Sequence, residues 1–362
     1  MKTPQRDNAE GLDTTTRVGG GSIMKKLSEV IGEDKTLFEL VPAKTPAKRK
    51  RSTTPKTPRN YATEIEVAHD TLFDKVVNYG IQRKTGENPE LTQIATALIL
   101  CGLPYRKIDE FEFSRSSRAA DGSTIRVTFY SVGKDEQGNR IPLAFGSDRT
   151  PLHWCIDKAI KTKSSFVQLD SAREFIADLG QVDSGENYRR LRQAFNRISS
   201  LSITVERFRD GDQNRTILPI IEHSHLPASL QPGAPSIAGP LGIRFGEAFF
   251  AEFTKNHVPF PTSFLRDLSK KPQMQDYIVF LNWRSYAAKT TTSIPWNLMR
   301  EQLWQEDTNP HRIKTRFAEA ISLLKVAWPE LNAEATSRGL RIGPPLRGQH
   351  LFPSHHKESK YN

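Results

Sequence analysis

Residues 187–205 read NYRRLRQAFNRISSLSITV, and the fold turns on how this stretch is read. At about 100° per residue, Tyr188, Leu191, Ala194, Phe195 and Ile198 fall on one arc of about 120°, which predicts an amphipathic helix. Arg189, Arg190, Arg192, Gln193, Asn196 and Arg197 fill the opposite side. Asp183 is the expected N-cap, with Glu186 three residues on as a variant capping box. The period then changes at once. LSITVERF (201–208) alternates with period two, RDGDQN turns, and RTILPII (215–221) alternates back, which predicts a hairpin. Upstream, FVQL (166–169) reads as a short strand. Asp170 or Ser171 caps the helix SAREFIADLG, which Gly180 closes. Helix, tight turn, helix and hairpin follow the order of a winged helix-turn-helix. The hairpin is then the wing, and the arginine-bearing helix is the one that enters a DNA major groove.

Outward from this stretch, TLFDKVVNYGI (71–81) and LTQIATALILCGL (91–103) have helical spacing. STIRVTFYSV (123–132) alternates like a half-buried strand, KDEQGN (134–139) turns, and TPLHWCIDKAIKTKS (150–164) is a long amphipathic helix. LPASLQPGAPSIAGP (226–240), rich in Pro, Gly, Ala and Ser, reads as a loop or linker. A similar order then recurs: helices at FGEAFFAEF (245–253) and MQDYIVFLNWRSYAAK (274–289), a helix opened by Ile294-Pro295-Trp296, and PHRIKTRFAEAISLLKVAWPEL (310–331). SRGLRIGPP (337–345) supplies a short second wing. No residue-level repeat is visible. The expected architecture is α+β, with two tandem winged-helix domains at 61–240 and 241–345. A disordered basic tail, 1–60, precedes them and a flexible tail, 346–362, follows. VPAKTPAKRKRSTTPKTPRN (41–60) has four prolines, seven Lys or Arg and no acid, too little apolar surface to fold alone. It reads either as a DNA-seeking arm or as a solvated leader.

The 362 residues suffice for about two or three domains. Lys and Arg number 52 against 41 acids, a formal charge of +11 with a pI near 9.6. That surplus favours a polyanionic partner, nucleic acid ahead of an acidic membrane surface. Cys101 and Cys155 are too few for a zinc site or a disulfide framework and are expected as reduced, buried thiols. No apolar run is long enough to span a bilayer, and MKTPQRDNAEGLD lacks the apolar core of a secretory signal. A soluble, cytoplasmic protein without a membrane partner is expected.

A helix in the major groove must offer donors that match base edges at its centre and phosphates at its flanks. Arg189, Gln193 and Asn196 occupy the middle of the polar arc and are assigned to bases. Arg190, Arg192 and Arg197 lie at its margins and are assigned to phosphates. Arg207, Arg209 and Arg215 flank the hairpin turn, within reach of a minor groove or the backbone. Lys161 and Lys163 end the preceding long helix as weaker phosphate candidates. In the second half Arg312, Lys314, Thr315 and Arg316 are the corresponding candidates, diluted by Glu319. The competing reading is a solvated charged face.

At these residues the chain resembles the plasmid replication initiators of the RepA family, related to the iteron-binding Rep proteins. KAIKTKSSFVQLDSAREFIADLG followed by YRRLRQAFNRISSLSITVER is similar to the family's TKS-type helix end, short strand, "LG" helix and Arg-rich helix. VPFPTSFLRDLSKKPQMQDYIVFLNWRSYA (258–287), IPWNLMREQLW, RFAEAISLLKVAWPEL and GLRIGPP continue the likeness, which covers roughly residues 140–346. The resemblance implies a bacterial, plasmid-encoded initiator that binds direct repeats (iterons) in duplex DNA at an origin and melts a neighbouring A·T-rich stretch. It also implies help in loading the host's replicative helicase with the host initiator. Dimers that repress their own gene and monomers active at the origin belong to the same implication. Two modules on one chain suit that task, because the first contact raises the effective concentration of the second.

Other classes are less well supported. A rolling-circle nickase needs a His-hydrophobic-His metal pair, whereas His223-Ser224-His225 has serine at its centre. No GxxxxGK[ST] phosphate loop occurs, so an ATPase is unsupported, and no constellation carries catalysis or calls for a cofactor. The strongest rival is a winged-helix transcriptional repressor with no role in replication.

Overall fold

The structure, a computed structural model, describes residues 62–351 except 88, 119–122, 170, 227–240 and 304–308. The basic tail and most of the Pro/Gly-rich loop lie outside the described residues. The chain is α+β. It opens with α1 (Ala62–Thr85), β1 (Leu91–Ala95), α2 (Thr96–Leu100), β2 (Glu112–Arg118) and β3 (Thr124–Ser131). Then come α3 (Arg149–Thr162), β4 (Phe166–Gln168), α4 (Ala172–Asp178), α5 (Gly185–Ser199), β5 (Leu201–Arg209), β6 (Asp212–Pro219), β7 (Ile221–His225) and β8 (Gly242–Phe245). The second half holds α6 (Glu247–Lys255), β9 (His257–Pro261), α7 (Thr262–Leu268), α8 (Pro272–Ala287) and β10 (Thr292–Pro295). It ends with α9 (Trp296–Leu303), α10 (Pro310–Ala327), β11 (Ala333–Ala335) and β12 (Gly339–Ile342).

A pattern repeats. In the first half α3, β4, α4, α5, β7 and β8 follow one another, with β5 and β6 inserted; in the second, α8, β10, α9, α10, β11 and β12 do the same. Each half closes a three-stranded antiparallel sheet in the order first, third, second: β4-β8-β7 and β10-β12-β11. One glycine recurs at the same place in both. Gly242 and Gly339 each open the middle strand, and at each an added Cβ would collide with a backbone carbonyl oxygen, that of Val167 or of Ile294. Only glycine allows the third strand to cross so close to the first.

The hairpin β5-β6 is real, but it is not a free two-stranded wing. Asp210 and Gly211, both at positive φ (51° and 93°), make a two-residue turn between Arg209 and Asp212. An Asp-Gly pair is suited to the type I′ geometry that such a turn requires. β3 then pairs along β5 from Leu201 to Phe208, and β2 along β3, so the hairpin is half of a four-stranded sheet β2-β3-β5-β6. One face of that sheet buries Phe113, Phe129, Ile203 and Leu218, which supplies the reason for the extra strands. By position, the loop that corresponds to a wing in the first half is the one between β7 and β8, mostly outside the described residues. In the second half β11 and β12 form the short hairpin expected there.

Other expectations shift. LTQIA (91–95), expected as helix, is strand β1, because its backbone pairs antiparallel with β9 from Leu91↔Pro261 to Ala95↔His257. Around this seam the halves mirror each other. The Thr96 N–H donates to the Asn256 carbonyl at 3.0 Å and the Thr262 N–H to the Glu90 carbonyl at 2.9 Å; the Thr92 and Thr262 hydroxyls meet at 2.9 Å. Of residues 346–351, expected to start a flexible tail, 346–349 are exposed, but two contacts tie the segment to the body. Leu351 is buried, and the Gln349 carbonyl accepts from the Trp328 indole N–H at 2.8 Å.

Buried polar groups also cross between the halves. The Arg149 guanidinium donates to the Leu103 carbonyl at 2.8 Å and lies 3.3 Å from Asp276 of α8. Arg115 of β2, fully buried, donates to the carbonyls of Gly102 at 3.0 Å and Gln302 of α9 at 3.2 Å. Cys101 and Cys155 are free and buried, and burial pushes the Cys101 thiol up to about 12. Among the described residues no helix is long and apolar enough to cross a membrane.

His153 of α3 carries a pH-dependent contribution. Burial first, and then the Arg149 charge, push its pKa down to about 3 from 6.5. A depressed imidazole is neutral in the native state, so below about pH 6.5 the unfolded chain binds the extra proton and stability falls as pH falls towards 3. Between pH 7 and pH 5 this costs about 2 kcal/mol. Urea unfolding at the two pH values should show that loss in the wild type, and His153→Leu should remove it.

Candidate nucleic-acid interface

α5 is built as its sequence pattern dictates, apart from its cap. Ser184, not Asp183, starts the helix, its hydroxyl accepting from the Asn187 N–H at 3.3 Å. Asp183 lies 3.2 Å from Arg173 instead. Leu191, Ala194, Phe195 and Ile198 are buried and Tyr188 is half-buried. Phe175 of α4 sits between Trp154 of α3 (4.3 Å, edge-on) and Phe195 (5.3 Å), so one aromatic stack fixes three helices together. Full burial of a side chain such as Phe195 contributes roughly 1.5–3 kcal/mol.

The opposite face is open. Arg189, Arg190, Gln193 and Asn196 are exposed together along about two turns, the arrangement expected of a groove-reading face, and Arg192 is half-buried at its margin. Both Arg189 and Arg190 fold back onto Glu186 of the first turn, with N···O distances of 2.7 and 2.8 Å. The Arg189 hydrogen bonds hold the Glu186 carboxyl below its ordinary range.

Arg197 departs from its expected role as a phosphate clamp. Its guanidinium turns inward and grips Asp148 through two bonds, Nε to Oδ2 at 2.7 Å and Nη2 to Oδ1 at 2.8 Å. It also lies over the Phe145 ring at 4.9 Å. Its side chain is 16% exposed and that of Asp148 5%, so this is a packed ion pair that orients α5. The carboxylate lies 49 residues upstream, out of reach of any helical wheel.

The hairpin arginines do not converge. Arg207 is half-buried on the core side, donating to the Ser123 hydroxyl at 2.9 Å. Arg215 points from the outer face and pairs at 2.7 Å with Glu206, a buried carboxylate directly across the strands. Arg126 of β3, missed by the sequence reading, stands on the other side of Glu206 in the same row, over the Phe208 ring at 5.0 Å. Arg209 sits at the tip, 3.3 Å from Asp210. Period-two alternation alone would have put Arg126, Glu206 and Arg215 on one face once the register was known.

Lys161 is tied down, its ammonium 2.7 Å from Asp157 and 2.8 Å from the Leu91 carbonyl. Lys163 is exposed in a left-handed cap (φ 52°). On α10, capped by Asn309, Arg312, Thr315 and Arg316 are exposed and Lys314 half-buried. Arg316 pairs with Glu319 at 2.9 Å, and both line a cleft of about 350 Å³ shared with Leu72, Met274 and Tyr277. The exposed faces of α5 and α10 thus hold seven of the fifteen expected residues; Arg197, Arg207 and Lys161 are engaged elsewhere.

No family model and no curated protein matches the chain. Two solved structures resemble it in shape. One contains domains 2 and 3 of RctB as SeMet derivatives, with a TM-score of 0.41 and 11% identity over 69% of this chain and 96% of that one. The other contains RctB domains 2-3, with a TM-score of 0.34 and 10% identity over 61% of this chain and 80% of that one. TM-scores below 0.5 do not establish a common fold.

Proposed function

We propose that the chain is a replication initiator that binds repeated sequences in duplex DNA through two winged-helix units, with α5 and α10 as reading helices. The carrying observation is the open arc of Arg189, Arg190, Gln193 and Asn196 on a helix whose other face is locked into the core. The repeated order of strands and helices, the +11 charge and the resemblance to RepA-type initiators support the same reading. Arg189, Gln193 and Asn196 read bases, Arg having the geometry for guanine and Gln or Asn for adenine. Arg190, Arg192 and the exposed α10 residues Arg312, Thr315 and Arg316 hold the backbone, joined by Lys163, Arg209 and Arg215. Arg197 positions the helix. The protein carries out no catalysis of its own; melting of an adjacent A·T-rich stretch, contact with the host initiator and helicase, and a homodimeric repressor form complete the proposal.

Binding sites selected from a random duplex library test it. Arg189→Ala or Gln193→Ala should relax the selected sequence and weaken binding by about 1–3 kcal/mol. Arg190→Ala should weaken selected and random DNA alike and lower the salt slope by about one unit. Mutants of Arg189 and Gln193 that select the wild-type sequence would refute base reading by α5. A suicide vector carrying the gene and its flanking DNA should replicate only with an intact reading frame. Failure there, with binding to one palindromic operator, would identify a repressor instead.

A further inference from the structure

The first turn of α5 holds an acid where a DNA-reading helix would be expected to present only donors. Glu186 receives four hydrogen bonds: Arg189 Nε to Oε2 at 2.9 Å, Arg189 Nη2 to Oε1 at 2.9 Å and to Oε2 at 2.7 Å, and Arg190 Nε to Oε1 at 2.8 Å. A carboxylate has about four lone-pair sites, so this one is saturated and has nothing left for a base. Its place is favourable twice over. An acid in the first turn interacts well with the helix dipole, and an acid three and four residues ahead of arginines is in the better orientation for pairing. Yet the side chains are exposed, 46% for Glu186 against 61% and 68% for the arginines, so the cluster opens without unfolding anything.

We infer that Glu186 is an internal competitor for DNA, occupying in the free chain the guanidinium forks that phosphate or guanine would take. The inference rests on α5 being the reading helix. Carboxylate and phosphate satisfy the same bidentate fork, so each bond to DNA by Arg189 or Arg190 is exchanged for one to Glu186 rather than added. Binding to random DNA therefore gains from these two arginines about the net of one charge rather than two. A matched site gains the contacts of Gln193 and Asn196 as well, and these do not have to be taken from an acid.

The test is the salt dependence of binding by the full chain to a random-sequence duplex, comparing Glu186→Gln and Glu186→Asp with wild type. Removing the carboxylate frees about one positive charge, which should steepen the slope of log K against log salt by about 0.9 and raise affinity about eightfold at about 0.1 M salt relative to 1 M. Glu186→Asp keeps the charge and should keep the wild-type slope. Unchanged slope and affinity in Glu186→Gln, or weaker binding, overturns the inference, as does an Asp variant that behaves like Gln. A wild-type chain that binds no duplex overturns the parent reading instead, so the two failures are distinguishable.

Discussion

Arg197→Ala is expected to destabilise the protein by about 3 kcal/mol, because it strands the buried Asp148 carboxylate without its cation. A surface arginine on the same helix behaves differently: Arg190→Ala should change stability by no more than about 0.5 kcal/mol. Urea unfolding of the two variants separates the roles. Loss of the Asp148 grip also frees the C-terminal half of α5, so specific DNA binding should fall along with stability. Stability equal to wild type, with the salt slope reduced by about one unit, would return Arg197 to a phosphate contact. Lysine is no substitute here, since the pair uses two parallel bonds from a planar fork and stacks on Phe145.

Arg149→Ala should cost more, about 4 kcal/mol. Its side chain is 3% exposed and that of Asp276 9%, and the guanidinium also serves the Leu103 carbonyl and the Tyr105 ring at 5.1 Å. The substitution therefore removes the cation from beside a buried carboxylate and leaves a cavity between the halves. The expected readout is a large drop in the urea midpoint. A variant that unfolds like wild type would show that the remaining contacts between the halves, among them β1-β9 pairing and the Arg115 bond to the Gln302 carbonyl, hold without it.

Local patterns were legible in the sequence and distant pairings were not. The buried arc of α5 and its open arc follow directly from a 3.6-residue period, and the Asp-Gly turn of the hairpin from its dipeptide. LTQIATALIL misled because a short apolar run fits a helix or a buried strand equally well; only its partner β9, far along the chain, decides. The hairpin at 201–219 was read as a wing because its alternation is strong, and nothing local says that β3 will cover one edge. The pairing of β8 with β4 and β7 spans the Pro/Gly-rich loop and leaves no periodic trace. Among site residues, the engagement of Arg197 and Arg207 was not legible for one reason: their partners, Asp148 and Ser123, lie far along the chain. The link from Glu186 to Arg189 and Arg190 was readable from spacing alone.

Asp148 and Arg149 are consecutive residues with partners on different helices, one on α5 and the other on α8. A single peptide bond therefore separates the anchor of the first exposed helix from the anchor of the second half. Motion of one relative to the other has to break one of the two ion pairs. On DNA the chain would behave as a calliper with a set opening, and a target whose halves are spaced otherwise would have to bend or untwist to be gripped at both ends.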